Sequence, residues 1–168
     1  TSLGGGLALI AATRDSHSRA VVAQAPQIDS GAEGQATFPG IWWVTQLLFS
    51  GWFDLACSAF SDEAHVIPAI ARSDGFGMIV DDAAFAAFEE VVPQRTLYRN
   101  AVAARSIFTF DDYNPTVQAA AITVPVLLIA TQKDRFVPYA AVEAFALRLP
   151  NVTLSAIDGD HFDIYRQP

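Results

Sequence analysis

The sequence predicts an α/β fold, a parallel sheet flanked by helices with a helical insertion, and three observations predict it. Short runs of apolar and β-branched residues, each bounded by turn residues, read as strands buried on both faces. Helix-like stretches alternate with these runs. The segment between the first two runs is far longer than a simple crossover requires, so it reads as inserted.

Taken in order, "TSLGGGLALIAAT" opens with a small-Ser-x-Gly-Gly turn and continues as a helix expected over residues 4–13. The first strand is "RAVVAQAP" (19–26), the second "VPVLLIAT" (124–131) and the third "VTLSAI" (152–157). Between the last two lies the helix "YAAVEAFALRL" (139–149), with Pro138 near its start and Pro150 just past its end. The expected core is therefore 1–29 with 122–168, and 30–121 forms a mainly helical cap over the sheet edge. Inside the insertion, helices are expected at 41–60, at 82–92 with Asp81 or Asp82 as cap, and at 96–108.

Composition narrows the function. With 168 residues, 52% of them apolar, the chain can bury a sizeable core, which excludes a disordered segment. A net charge of -8 spread along the chain argues against a phosphate-binding surface, so no nucleic-acid partner is expected. Cys57 stands alone and can make neither an internal disulfide nor a thiolate metal site; it reads as a small buried residue. The stretch 38–60 is long enough to cross a bilayer and carries Asp54 as its one charge. Pro39, Gly40 and Gly51 interrupt it, and Gln46, Ser50 and Asp54 form a polar stripe, so a buried or lid-forming helix fits better. Its aromatic residues Trp42, Trp43, Phe49, Trp52 and Phe53 leave one membrane reading open, a peripheral lipase-like role.

Hydrolysis of an unactivated carbonyl needs a nucleophile, a base, a group that orients the base, and donors for the oxyanion. Ser2 sits where a strand-to-helix turn would hold a nucleophile, with Gly4 and Gly5 relieving the bend, although a serine at a helix start is commonly an N-cap. Asp134, in "TQKDRFVP", follows the carboxyl end of the second strand, and His161, in "DGDHFDIY", follows the third. Alone, these are a turn aspartate and a surface histidine. Together, in the order Ser, Asp, His, each at the end of a separate strand, they read as a catalytic triad. Asp158, Asp160, His161 and Asp163 resemble a metal cluster only superficially; such oxygen-rich loops are mostly turns, and neither metal nor cofactor is expected. Asp163 is expected to cap a final helix. His17 and His65 read as structural or surface residues, and Thr1 as an N-terminal nucleophile would leave Asp134 and His161 unexplained.

Over "TSLGGGLAL", "NPTVQAAAITVPVLLIATQKDRFVP" and "GDHFDIY" the sequence resembles the α/β-hydrolases, within them the serine esterase-like branch related to dienelactone hydrolases and the X-Pro dipeptidyl-peptidase hydrolase domain. The resemblance implies that Ser2 is the nucleophile of a G-x-S-x-G elbow whose first glycine precedes Thr1, that Asp134 orients the base and that His161 is the base. It also implies that the backbone N–H of Leu3 is an oxyanion donor, aided by the positive end of its helix. Further strands before the elbow and a helix after His161 are implied as well, so the chain is expected to be the C-terminal part of such a hydrolase. Dienelactone hydrolases proper use cysteine, and Ser2 places the chain with their esterase-like relatives. The expected partner is a small-molecule ester or acyl substrate, with Trp43, Phe49 and Phe53 lining its pocket, in a cytoplasmic protein whose oligomeric state is open. The competing expectation is a non-catalytic truncated hydrolase-fold fragment or a binding scaffold, and the chain by itself is expected to hydrolyse little.

Overall fold

In the computed structural model, which describes residues 1–28, 39–92, 97–109 and 114–165, the apolar runs become one parallel sheet. The elements are α1 (Ser2–Arg14), β1 (Val21–Gln24), α2 (Ile41–Cys57), β2 (Val66–Ile67), β3 (Ile70–Ala71), β4 (Ile79–Val80) and α3 (Asp82–Val91). There follow β5 (Val102–Ala103), a 3-10 turn (Ala104–Thr109), α4 (Pro115–Gln118), a second 3-10 turn (Ala119–Ala121), β6 (Val126–Thr131), α5 (Tyr139–Ala146), β7 (Val152–Ile157) and a last 3-10 turn (Asp163–Tyr165). They form two compact units, Thr1–Ala36 with Tyr113–Pro168, and Thr37–Asp112. The expected start of the insertion at residue 30, and with it Phe38 and Thr96, lies outside the described residues.

The first unit holds the sheet in the order β1-β6-β7, all parallel, with Val21 opposite Val126 and Val126 opposite Val152. Alternation along β1 and β6 turns Val21, Ala23, Val126, Leu128 and Ala130 inward, where they meet Leu9 of α1 and Val142 and Phe145 of α5. Leu9, Leu128 and Val142 are wholly buried, each worth about 2 kcal/mol of transfer free energy. The segment 114–121, which the sequence assigns to the insertion, packs into this unit instead. Asn114 caps α4 by accepting from the Thr116 N–H, Pro115 occupies its first turn, and Ala119 and Ile122 join the core. The Thr116 hydroxyl donates to the Ile28 carbonyl at 3.2 Å, fastening α4 to the chain after β1.

The second unit is less helical than its sequence suggests. Helix α3 starts as expected, Asp81 accepting from the Ala84 N–H at 2.7 Å. Of the helix expected at 96–108, the described residues 97–108 do not form one: β5 pairs antiparallel with β2, and a 3-10 turn follows. The cause is long-range pairing. The Asn100 amide grips the backbone of Ile70, donating to its carbonyl at 2.7 Å and accepting from its N–H at 3.0 Å, as a strand would. Strands β3 and β4 form a parallel pair beside it. Among the described residues, no helix is long and apolar enough to cross a membrane.

Candidate active site

Parallel strands send their carboxyl ends to one edge of a sheet, and this edge brings together two of the side chains singled out above, Asp134 and His161. After β1, Ala25 takes a left-handed backbone with φ +38° while its N–H donates to the Ile129 carbonyl at 2.7 Å. That turn carries Gln27 back to the start of α1, where its N–H donates to the Ser2 carbonyl at 3.1 Å. Gly5 permits the approach: a Cβ there would lie 3.2 Å from the Cα of Pro26 and 3.3 Å from the Gln24 carbonyl. Ser2 itself has φ +47°. For a residue with a side chain that conformation costs about 1 kcal/mol or more, and such strain gathers at functional positions. The N-cap position of α1 belongs to Thr1, so Ser2 is not the cap.

Asp134 follows β6, is 9% exposed, and is ringed by donors. Its Oδ1 accepts from the N–H groups of Phe136 at 2.9 Å and Val137 at 2.8 Å, while Oδ2 accepts from the Thr131 hydroxyl at 2.8 Å. His161, beyond β7 and 5% exposed, brings its Nδ1 to the same Oδ2 at 2.8 Å. Its ring meets Phe136 edge-on with centroids 5.5 Å apart and Phe162 at 5.2 Å. An ionised carboxylate only accepts, so Nδ1 carries a proton in this contact, and in the neutral form of the ring the lone pair is at Nε2. Burial alone would raise the Asp134 carboxyl, but the hydrogen bond and charge of His161 and the N–H groups of Val137 and Phe136 outweigh it and hold the group below the ordinary carboxylate range.

Among the described residues, no group of three or more His, Cys, Asp or Glu side chains could hold a metal ion. Asp158 pairs with Lys133 at 2.7 Å, and Asp163 accepts from the Asp160 N–H at 2.8 Å, so its carboxylate reaches back across the loop ahead of its own 3-10 turn. Sequence reasoning missed Thr131 and the Ala25 turn. The one legible hint was a hydroxyl residue ending β6 three positions before Asp134.

The aromatic residues expected to line a substrate pocket all lie on α2 in the second unit, and the structure separates them. Trp43 donates its indole N–H to the Gly77 carbonyl at 2.8 Å and packs on the core of Leu47, Ile67 and Ala104. Phe49 lines an open groove of about 490 Å³ with Trp42, His65, Ile67, Pro68 and Phe76. Phe53 lies edge-on to His65, ring centroids 5.1 Å apart. His17 is exposed beside Asp15, and Cys57 is half-buried.

No family model matches the chain. The quorum-quenching protein AidA of Acinetobacter baumannii (strain MDR-ZJ06) is 27% identical over 167 residues, 98% of this chain and 54% of that protein, so the chain spans about half the length of this curated relative. Among solved structures, alpha/beta hydrolase GrgF from Penicillium sp. sh18 matches with a TM-score of 0.70 at 20% identity, over 96% of this chain and 54% of that one. The monoacylglycerol lipase of Paleococcus ferrophilus matches with a TM-score of 0.56 at 16% identity, over 98% and 63%. Three parallel strands with helices between them, matched across nearly the whole chain in these structures, give the conclusion that this chain has the α/β-hydrolase fold.

Proposed function

We propose that Ser2, Asp134 and His161 act together as the triad of a serine hydrolase that cleaves a carboxylic ester or related acyl bond, of the esterase-like kind related to dienelactone hydrolases. The observation that carries this reading is the buried His161–Asp134 contact of 2.8 Å joining two neighbouring strand ends. The left-handed Ser2, whose carbonyl accepts from the Gln27 N–H just beyond β1, adds to it. In this reading Ser2 Oγ attacks the carbonyl carbon while His161 Nε2 takes its proton. The oxyanion is met by the N–H of Leu3 at the positive end of α1. Collapse breaks the acyl–oxygen bond, and the proton passes from Nε2 to the leaving alcohol. Water then repeats the sequence on the acyl-enzyme, its proton going through Nε2 back to Ser2. Asp134 stays ionised throughout and fixes the tautomer.

In the complete protein a fluorophosphonate probe should label Ser2, and Ser2→Ala should abolish labelling. Ser2→Ala, Asp134→Asn and His161→Ala should each lower turnover of a short-chain p-nitrophenyl ester by about 10⁴, without further loss when combined. An unlabelled Ser2, or Ser2→Ala retaining a third of wild-type turnover, would leave a binding scaffold as the better account.

A further inference from the structure

We propose that the ion pair Arg135–Asp160 is a positioning device for His161, an assignment that rests on the hydrolase reading above. The Asp134 contact fixes the His161 ring at Nδ1, but the histidine's backbone lies in a loop beyond the end of β7, and something must hold that backbone. Asp160 does so directly. Its Oδ1 accepts from the His161 N–H at 2.7 Å, and its Oδ2 accepts from Nε of Arg135 at 3.1 Å. Arg135 is the residue after Asp134, so the two loops grip each other through adjacent side chains, one on the imidazole and one on Asp160, which in turn holds the histidine's backbone.

The neighbours continue this pattern. The Lys133 N–H donates to the Gly159 carbonyl at 2.9 Å, and Phe136 meets the His161 ring while the Arg135 guanidinium lies 5.7 Å from the Phe136 centroid. Asp160 is itself fixed from the far side, its N–H donating to Asp163 Oδ2 at 2.8 Å. Gly159 makes room for that carboxylate, since a Cβ there would lie 2.8 Å from it. Four consecutive residues, 133–136, thus hold the loop 158–163 at successive points.

Arg135 and Asp160 have side chains 47% and 39% exposed, and a pair so solvated adds little to global stability. Its effect is on geometry. A catalytic base displaced by a fraction of an ångström loses rate far more steeply than a fold loses stability, so the pair should act on turnover and leave melting nearly unchanged.

The test compares Asp160→Ala, Asp160→Asn and Arg135→Gln by three readouts: kcat against KM on a p-nitrophenyl ester, thermal melting, and solvent exchange of the low-field Nδ1 proton of His161 in NMR. Asp160→Ala should lower kcat about tenfold with KM within about twofold, and speed exchange of that proton. Asp160→Asn keeps the oxygen acceptor and Arg135→Gln keeps the carboxylate, so each should lose only about threefold. Wild-type kcat and exchange in Asp160→Ala, or losses that track melting while exchange stays fixed, overturn the assignment. Should Asp160→Ala not fold, the other two variants carry the same readouts. If the complete wild-type protein turns over no ester, the hydrolase reading fails while faster exchange in the variants still upholds the positioning; unchanged exchange then sinks both.

Discussion

Both oxygens of the Asp134 carboxylate are occupied, two backbone N–H groups on one and a hydroxyl and an imidazole on the other. An asparagine there has a single acceptor oxygen. Kept toward Phe136 and Val137, that oxygen satisfies the backbone, and the amide nitrogen then faces Thr131 and His161. Thr131 can rotate its hydroxyl to accept, but His161 must become an acceptor at Nδ1, which moves its proton to Nε2. Asp134→Asn should therefore cost only about 1–2 kcal/mol of stability yet leave the histidine in the wrong tautomer for a base. Nitrogen-15 NMR should show the proton on Nε2 in the variant and on Nδ1 in the wild type; an unchanged tautomer would defeat the argument. Thr131→Val, removing one donor and nothing else, should cost about 1 kcal/mol and keep the wild-type tautomer. Asp134 and His161 were legible in the sequence because each follows a strand, which a short apolar run announces. The Thr131 hydroxyl bond was not, since it depends on how the loop folds back, and neither was the left-handed Ala25, which no residue type signals.

At the scale of elements, α2 and the 3-10 turn after β5 decide how the second unit packs. Gly51 lies buried on α2, and a Cβ there would sit 2.7 Å from Cδ1 of Ile107 and 2.8 Å from Cε2 of Phe108. Alanine in a helix interior normally gains up to about 1 kcal/mol over glycine. Here both Ile107 and the Phe108 ring, which also contacts Trp52, would have to move. Overpacking of this kind costs about 1–3 kcal/mol, so Gly51→Ala should lower stability by about 1 kcal/mol in denaturant unfolding. A gain would mean the turn can move aside freely. The sequence reads Gly51 as an interruption of an apolar stretch, whereas in the fold it is the point of closest approach. The misread helix at 96–108 has a related cause: Asn100 answers to Ile70 and Arg105 to Asp54, partners too distant in sequence for a local pattern to register. The strands β1, β6 and β7 escaped that fate because a short apolar and β-branched run between turn residues is a local signal, although burial on both faces, which the sequence also led one to expect, fails at β1, where Val22 is exposed, and at β7, where Thr153 and Ser155 are.

On the scale of the whole chain, each compact unit holds, among the described residues, one buried carboxylate, Asp134 in the first and Asp54 in the second. Asp54 is fully buried on α2 and accepts from the His65 N–H at 2.7 Å and the Arg105 N–H at 2.9 Å, with the Arg105 guanidinium 3.5 Å away. Burial pushes its carboxyl up, but those N–H groups and the charges of Arg105 and His65 prevail, and it is held below the ordinary range, as Asp134 is. A carboxyl lowered by folding contributes stability that is fully present above its unfolded value, about pH 4, and is lost as the pH falls through its folded value. Both units should therefore weaken on acidification below about pH 4. Asp54→Asn and Asp134→Asn should each begin less stable at neutral pH and lose less than the wild type on going to pH 3. The two can be read separately. Trp42, Trp43 and Trp52 are the only tryptophans in the sequence and all belong to the second unit, so tryptophan fluorescence should report the flattened acid response of Asp54→Asn. Amide exchange in β6 and β7 should report that of Asp134→Asn. A wild-type protein equally stable from pH 6 to pH 3 would show that neither carboxylate is held by its donors as described.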